Sequence, residues 1–224
     1  HVCLVAVAVV ALAVMPATGA VFNDRATWEA ALASRQDISF NALGTATVLN
    51  LTQGSGGDTV FFAPVGAMWF DIVGSSYGNS CDTRCIFADT GTIDAGFLAT
   101  LALTTNTAVG FNVFTVNNTA ETVTIRIYNV GSVTPDYTTT IATVANTSTT
   151  PVFFGYTGTA GIKQIEIITA PGTGDVVLDN FSYGVANNDP PPPPPGETPE
   201  VPTLSYFGIG LLAVLFGSKK RVRV

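Results

Sequence analysis

Histidine is all but missing from this 224-residue chain: the one present is His1. Past that position, His-based general acid–base catalysis, Ser–His activation of a nucleophile and imidazole metal sites cannot be built. Charge is scarce as well. Asp, Glu, Lys and Arg make up 11% of the residues, against about 25% in an ordinary soluble protein. The 9 Lys and Arg are outnumbered by 16 Asp and Glu, for a net charge of −7. That balance argues against nucleic acid as a partner, because phosphate neutralisation needs clustered cations. What is abundant is apolar: 47% hydrophobic residues and a mean hydropathy of +0.40. With so little charge, this mix means a membrane segment, or β-structure whose exposed face is Thr, Asn and Ser.

The two ends differ from the middle. Val2–Val14 is an unbroken apolar run, VCLVAVAVVALAV, followed by Pro16 and the small residues Ala17-Thr18-Gly19-Ala20. This is the pattern of a signal-peptide core with a cleavage site, so residues 1–20 are expected to be a leader removed near Ala20. Neither Met nor a basic segment precedes Val2, and the expectation is that the chain opens inside a truncated leader. At the other end, Val201-Pro202-Thr203-Leu204-Ser205 runs into YFGIGLLAVLFG and then Ser218-Lys219-Lys220-Arg221-Val222-Arg223. As a helix, the roughly 17 apolar residues rise ~25 Å, a little short of a ~30 Å hydrocarbon core. Lys219 and Lys220 can snorkel to close the gap, and with Arg221 and Arg223 they hold the tail on the cytoplasmic side. The middle is then exported. Between the two parts, residues 187–200 carry Pro190–Pro195, a polyproline II spacer of roughly 20 Å.

A short Pro-containing motif, a glycine-interrupted apolar helix and a terminal basic cluster together resemble the PEP-CTERM class of bacterial sorting signals. Val201-Pro202-Thr203-Leu204-Ser205 looks like its IPTLS-CTERM variant, and Tyr206-Phe207-Gly208 stands where that variant commonly has Trp-Gly. The resemblance covers residues 201–224. It implies an exosortase-type sorting transpeptidase as partner, a transient membrane anchor, and a mature protein passed to the cell surface or extracellular matrix. An ordinary C-terminal anchor helix is the alternative, and it too places the middle outside the cytoplasm.

Residues 21–186 read as one β-rich domain. Phe22–Leu32 is predicted as a short helix, with Asn23 or Asp24 as N-cap and Trp28 and Leu32 on one face. After it, runs of Val, Ile, Phe and Thr alternate with Gly, Asn, Asp and Pro clusters. Strands are predicted at Asp37–Phe40, Thr59–Ala63, Ala67–Val73, Cys85–Ala88, Phe97–Leu103, Ala108–Val116, Thr122–Val130, Tyr137–Val144, Val152–Tyr156, Ile162–Thr169 and Asp175–Tyr183. No second helix pattern exists, so the fold class is all-β: an antiparallel two-sheet sandwich or jelly roll with one short N-terminal helix. In Thr122–Val130 the alternation puts Val123, Ile125 and Ile127 inside, with Thr124, Arg126 and Tyr128 outside. The opening FNDRATWEAAL, Phe153-Phe154-Gly155-Tyr156, Ile162–Ile168 and the closing VLDNFSYG resemble globular domains found ahead of PEP-CTERM signals. These are similar in outline to carbohydrate-binding-module and lectin-like sandwiches.

Candidate chemistry is thin. With Cys3 removed in the leader, Cys81 and Cys85 are left, and in an exported protein they are expected to form a disulfide. Gly74-Ser75-Ser76-Tyr77-Gly78 matches a nucleophile elbow, but no histidine follows it, so it is read as a turn. Gly54-Ser55-Gly56-Gly57-Asp58 lacks the Lys-Ser/Thr of a phosphate loop and is read as a flexible loop. On a regular strand Val177, Asp179, Phe181 and Tyr183 point one way. A core Phe181 would then draw Asp179 inward, where a lone charge is costly. Similar sandwiches imply a structural Ca²⁺ at such an Asp, with Asp24 as a second ligand. Alternatively, Val176 and Leu178 form the core face and Asp179 is solvated or bonded to a turn. The loop Asp89–Asp94 is a second oxygen-rich candidate. A glycoside hydrolase would need two facing carboxylates, ~5 or ~6.5–9.5 Å apart; Asp71, Glu166 and Asp175 are available, with no pair marked. Sugar binding would use exposed aromatics, with Trp69, Tyr77, Tyr128, Tyr137 and Tyr156 as candidates. The reading is therefore a non-enzymatic, surface-sorted protein of the extracellular matrix or biofilm. A lectin-like module for extracellular polysaccharide is the alternative, and a carboxylate hydrolase is third.

Overall fold

Strand alternation builds the interior. In the computed structural model, which describes residues 19–65, 69–74, 81–89, 96–145, 147–169 and 176–187, Val123, Ile125 and Ile127 are fully buried while Thr124, Arg126 and Tyr128 face outward. In chain order the strands are β1 (Ala20–Phe22), β2 (Leu32–Ile38), β3 (Ala46–Val48), β4 (Leu51–Ser55), β5 (Asp58–Val65), β6 (Trp69–Gly74), β7 (Arg84–Asp89), β8 (Gly96–Leu101), β9 (Ala108–Thr115), β10 (Thr122–Asn129), β11 (Tyr137–Ala142), β12 (Val152–Thr157), β13 (Ile162–Thr169) and β14 (Val176–Ala186). Helix α1 (Arg25–Ala30) lies between β1 and β2.

The strands form an antiparallel two-sheet sandwich. An eight-stranded sheet runs β1-β12-β9-β14-β7-β6-β3, with β2 also on β14; a six-stranded sheet runs β11-β10-β13-β8-β5-β4. From β7 to β14 the chain passes repeatedly between the sheets, the alternation of a jelly roll. Phe62, Phe97, Phe111, Phe154, Phe181 and Tyr183 fill the space between them. Phe181 stacks on Phe111 at 5.9 Å and meets Phe62 edge-on at 5.2 Å, both favourable aromatic geometries.

Strand β14 organises the larger sheet. One edge pairs with β9 along nearly its whole length. The other pairs first with β7 at Val177–Leu178, then with β2 from Phe181 to Ala186. Both β9 and β14 are buried almost without a break, because their outer face is covered too. At one end the cover is Val73, Cys81, Cys85, Phe87, Phe114 and Val177. At the other it is Trp28, with Ala108 and Phe153.

The ring of Trp28 lies on a floor cleared by glycine. A Cβ at Gly155 would sit 2.7 Å from the ring, and one at Gly110 3.0 Å from it. The indole N–H donates to the Tyr156 carbonyl at 3.2 Å, so its polar atom is satisfied where it is buried.

The helix is shorter than predicted. Phe22 belongs to β1, paired with Gly155, and Leu32 opens β2, paired with Ala186. Strand pairing on both flanks captures the ends that the helical spacing suggested, and Leu32 still packs beside Trp28. Three strands were not anticipated. β1 and β3 are three residues each, too short to show alternation, and the Gly54–Asp58 segment, expected to be a flexible loop, is the turn end of the β4–β5 hairpin. Ser55 pairs with Asp58, and Gly56 and Gly57 between them have φ of 64° and 88°. Positive φ at both central residues is what a type I′ hairpin turn demands. Trp28→Ala is expected to lower unfolding stability by about 3–5 kcal/mol, the cost of removing a large buried aromatic; denaturant titration of variant and wild type checks this.

Candidate functional site

Asp179 stands where β14 departs from a regular strand. Asn180 has φ 48°, a left-handed conformation that Asn tolerates better than most residues. The register with β9 slips between Asp179 and Ser182, a β-bulge. Before the bulge Val176 and Leu178 face the inter-sheet core; after it Phe181 and Tyr183 do. The expectation that Val177, Asp179, Phe181 and Tyr183 share one face is thereby corrected. Val177 belongs to the outer cluster, and the extra residue reverses the phase so that both halves of the strand feed the core.

The bulge frees backbone groups that the ladder would otherwise pair, and side chains meet them. The Asn180 N–H donates to Asp179 Oδ1 at 2.7 Å, and its side-chain amide donates to Oδ2 at 3.3 Å. The Asn180 carbonyl accepts from Arg25 Nη2 at 2.7 Å. Arg25 Nη1 also donates to Ser182 Oγ at 3.0 Å, and the guanidinium lies 4.7 Å over the Phe153 ring. Asp179 is 1% exposed. Burial raises its pKa above the ordinary carboxylate value, opposed by the N–H groups of Asp82 and Asn180 and by the Arg25 charge. Burial likewise lowers the Arg25 pKa, against Glu29 and Asp37.

The disulfide expected between Cys81 and Cys85 is present, with Cα atoms 5.8 Å apart. Its small loop docks on the bulge: Asp82 N–H donates to Asp179 Oδ2 at 3.4 Å. The loop is also tied to Asn41, which accepts from Arg84 N–H at 2.9 Å and donates to Asp82 Oδ2 at 3.2 Å.

The two residues considered for Ca²⁺ have separate protein partners. Asp24 caps α1, where its Oδ1 accepts from Thr27 N–H at 2.8 Å and Thr27 Oγ1 at 2.7 Å; these bonds hold its carboxyl below the usual range. Asp179 is engaged by the bulge. Among the described residues no group of three or more His, Cys, Asp or Glu is placed to hold a metal. Beside the bulge is a cleft of about 250 Å³ lined by Arg25, Glu29, Arg35, Asp37, Asn180 and Ser182 among others. Its charges are paired with one another: Arg35 with Glu29 and Asp37, and Asp37 also accepts from Ser182 Oγ.

The outer face of the six-stranded sheet is different. Among the described residues no helix packs on it; α1 contacts β1, β2 and β12 of the other sheet. Cross-strand register lines up Thr52, Phe61, Thr100, Gln164 and Tyr128 in one row. The next row is Ala63, Leu98, Glu166, Arg126 and Thr138. Phe61 is 41% exposed. Glu166 accepts from Arg126 Nη1 at 2.9 Å and from Tyr128 OH at 3.2 Å, which fixes three polar side chains in one plane of the surface.

Of the aromatic candidates among the described residues, only Tyr128 is on this face. Tyr156 is buried and Tyr137 packs on it at 5.1 Å, while Trp69 lies on the outer face of the eight-stranded sheet beside Asp71 and Val73. Phe61, which is not among those candidates, joins Tyr128 on its face, because alternation around the buried Val60 and Phe62 turns it outward. Asp71 accepts from Thr47 Oγ1 on one outer face and Glu166 sits on the other. With sheets about 10 Å apart, the sandwich separates them too far for a glycosidase pair.

No family model matches the sequence, and no curated protein matches it. Among solved structures, the chain is similar to a family 11 carbohydrate-binding module from Clostridium thermocellum in complex with a β-1,3-1,4-mixed-linked tetrasaccharide. That likeness has 14% identity and a TM-score of 0.36, covering 68% of this chain and 96% of that one. A second is the family 11 module of the cellulosomal cellulase Lic26A-Cel5E from the same organism, with 15% identity and a TM-score of 0.36, covering 68% of this chain and 95% of that one. At these values neither assigns a residue role here.

Several expectations lie outside the described residues: most of the leader, Ser75–Gly78 with Ser76 and Tyr77, most of the Asp89–Asp94 loop, and Asp175. So do the proline spacer, the motif Val201–Ser205, and the basic residues Lys219, Lys220, Arg221 and Arg223. Among the described residues no helix is long and apolar enough to cross a membrane.

A raised carboxyl pKa means that the folded state holds the Asp179 proton more tightly than the unfolded state. The stability this contributes is complete below the unfolded pKa and is lost as pH rises through the folded value. Replacing Asp179 by Asn removes that loss. The stability of Asp179→Asn relative to wild type is therefore expected to improve as pH rises from about 4, measured by denaturant unfolding at a series of pH values.

Proposed function

We propose that this chain is an exported, surface-sorted bacterial protein of the extracellular matrix, and that its β-sandwich binds polysaccharide without cleaving it. The observation that carries the binding role is the contrast between the two outer faces. One is covered over its central strands β9 and β14 by α1 and the disulfide loop, whereas the other bears the Phe61–Tyr128 row and the Arg126–Glu166 pair with no helix over it among the described residues. From Phe61 on β5 to Tyr128 on β10 are three strand spacings, or about 14 Å between backbones, more than the width of one sugar ring. Aromatic faces suit the apolar faces of pyranose rings. The carboxylate of Glu166 and the guanidinium of Arg126, held together beside Tyr128, and the Gln164 amide in the row between Tyr128 and Phe61 suit pairs of hydroxyls, which both donate and accept. Export and sorting rest on the apolar run Val2–Val14, the motif Val201–Ser205 and the cations from Lys219 to Arg223, through an exosortase-type transpeptidase.

The same reading accounts for the shortage of charge. The cations Lys219, Lys220, Arg221 and Arg223 lie in the tail, and every Asp and Glu lies between residues 21 and 200. The part presented outside is therefore more acidic than the whole-chain −7 and presents Thr where other domains present Lys and Glu.

The surface form, isolated from its producing cells, is expected to weigh as a chain starting near residue 21 and cut close to Val201–Ser205, and to bind a neutral linear glycan on an array. Phe61→Ala is expected to weaken that binding about 30-fold, the scale of a central aromatic contact. A surface form that retains both ends, or glycan binding that Phe61→Ala leaves unchanged, contradicts the corresponding half of the proposal.

A further inference from the structure

The edges of the two sheets are not equivalent. On the eight-stranded sheet the terminal strands β1 and β3 are three residues each, too short to template another strand, and β2, which among the described residues pairs only with β14, carries Arg35 and Asp37, charges of the kind that blunt an edge. On the six-stranded sheet, β4 carries Gly54 at φ 111°, which breaks the extended backbone near its end. The remaining terminal strand, β11, has six residues, YTTTIA, with neither Pro, Gly nor charge. Edge strands are ordinarily blunted by Lys, Pro, a bulge or shortness, and β11 has none of these. Its composition is that of segments that pair readily with copies of themselves: high β-propensity, no charge, no proline.

The register shows which backbone groups point outward. Thr143 N–H donates to the Glu121 carbonyl, and Val123 faces Ile141, Ile125 faces Thr139 and Ile127 faces Tyr137. Hydrogen-bonded pairs alternate along an antiparallel ladder, so Tyr137, Thr139 and Ile141 spend their backbone groups on β10. Those of Thr138, Thr140 and Ala142 are directed away from it, and these three residues are exposed. Among the described residues no strand pairs with this edge. The flanking charge is turned aside: the Asp136 carboxylate accepts from Asn129 N–H at 2.8 Å and Ser132 Oγ at 3.0 Å, within the β10–β11 turn.

We propose that β11 pairs antiparallel with β11 of a second copy, about a two-fold axis at Thr140, joining two six-stranded sheets into one continuous sheet. The edge is self-complementary in this register. Thr140 meets the partner's Thr140, and Thr138 meets the partner's Ala142. All are residues whose backbone groups face outward, so each pair exchanges two N–H···O=C bonds. On the inner side Thr139 meets the partner's Ile141. Asp136 falls opposite the partner's Val144, so no like charges meet. The interface is isologous and closes at a dimer. It places two copies of the Phe61–Tyr128 face side by side on one surface, but the pairing stands whether or not that face binds glycan.

Thr140 supplies a direct test, because its N–H points away from β10 and its side chain is exposed on the outer face, so substitution there spares the β10 ladder. The full-length chain in detergent, with Cys3→Ala to remove the thiol outside the Cys81–Cys85 disulfide, is compared with and without Thr140→Cys under mild oxidation. Opposed residues of a hydrogen-bonded pair have Cα atoms about 5.5 Å apart, within the disulfide range. Thr140→Cys is expected to become a covalent dimer on a non-reducing gel. Thr138→Cys alone stays monomeric, and Thr138→Cys combined with Ala142→Cys cross-links again. Without oxidation, Thr140→Lys sets two ammonium groups opposite each other and raises the dimer dissociation constant in sedimentation about fivefold or more, with an unchanged far-UV spectrum. The proposal is overturned if wild type sediments as a monomer, if Thr140→Cys does not cross-link above background, or if Thr138→Cys cross-links equally well. It is also overturned if the edge is filled by another protein or by a segment of its own chain, since either leaves Thr140→Cys monomeric.

Discussion

One extra residue in the last strand decides how this sandwich is assembled. Asn180 adopts a left-handed backbone, so β14 sends Val176 and Leu178 into the core before the bulge and Phe181 and Tyr183 after it. Without that reversal, Phe181 and Tyr183 would leave the core for the outer face, and the stacking of Phe181 on Phe111 and its edge-on contact with Phe62 would be lost. The bulge is also where β14 changes its neighbour from β7 to β2. Its stranded backbone groups are met by the Asp179 carboxylate and the Arg25 guanidinium. A buried carboxylate is costly, and here it is held by N–H donors from both the bulge and the disulfide loop.

The surroundings of the bulge follow from this. Helix α1 is placed so that Arg25 reaches the bulge while Trp28, one turn on, closes the sheet over Gly110 and Gly155. The Cys81–Cys85 loop closes it from the other side through Asp82. These two pieces cover the outer face of the eight-stranded sheet over β9 and β14 and leave Trp69 on β6 exposed. The charged groups of the neighbouring cleft are consumed in the same network, which is why the polar cluster around Asp179 reads as architecture. The six-stranded sheet carries no such cover among the described residues, and its outer face is left to Thr, Gln, Arg, Glu, Tyr and Phe.

Much of this was legible in the order of residues, and the exceptions have physical causes. Period-two alternation marks Val123, Ile125 and Ile127 as core without any structure, and the spacing of short β-branched runs indicates two antiparallel sheets. The Cys81–Cys85 pairing follows from there being two cysteines outside the apolar run Val2–Val14. At β14 the two opposed readings of Asp179 were each half right. Phe181 is core, and so are Val176 and Leu178, because a bulge lies between them. That bulge is held by Arg25, 155 residues away in sequence, so no local pattern announces it. The helix is shorter than its local spacing predicts because its flanks, Phe22 and Leu32, form strands only through distant partners. Phe61 was legible in principle, since it sits between two core residues on an alternating strand; its meaning came only from the cross-strand row that joins it to Tyr128.

The central claim is that the left-handed bulge is a built and protected part of the core. Amide hydrogen exchange at Asn180 tests it most directly, because the account gives that N–H one partner, the Asp179 carboxylate. In the wild-type chain it is expected to exchange as slowly as the neighbouring amides of β14, and to lose that protection in Asp179→Ala while the Val123 and Ile125 amides of the other sheet keep theirs. Exchange of the wild-type Asn180 amide at the rate of an open loop would contradict the account.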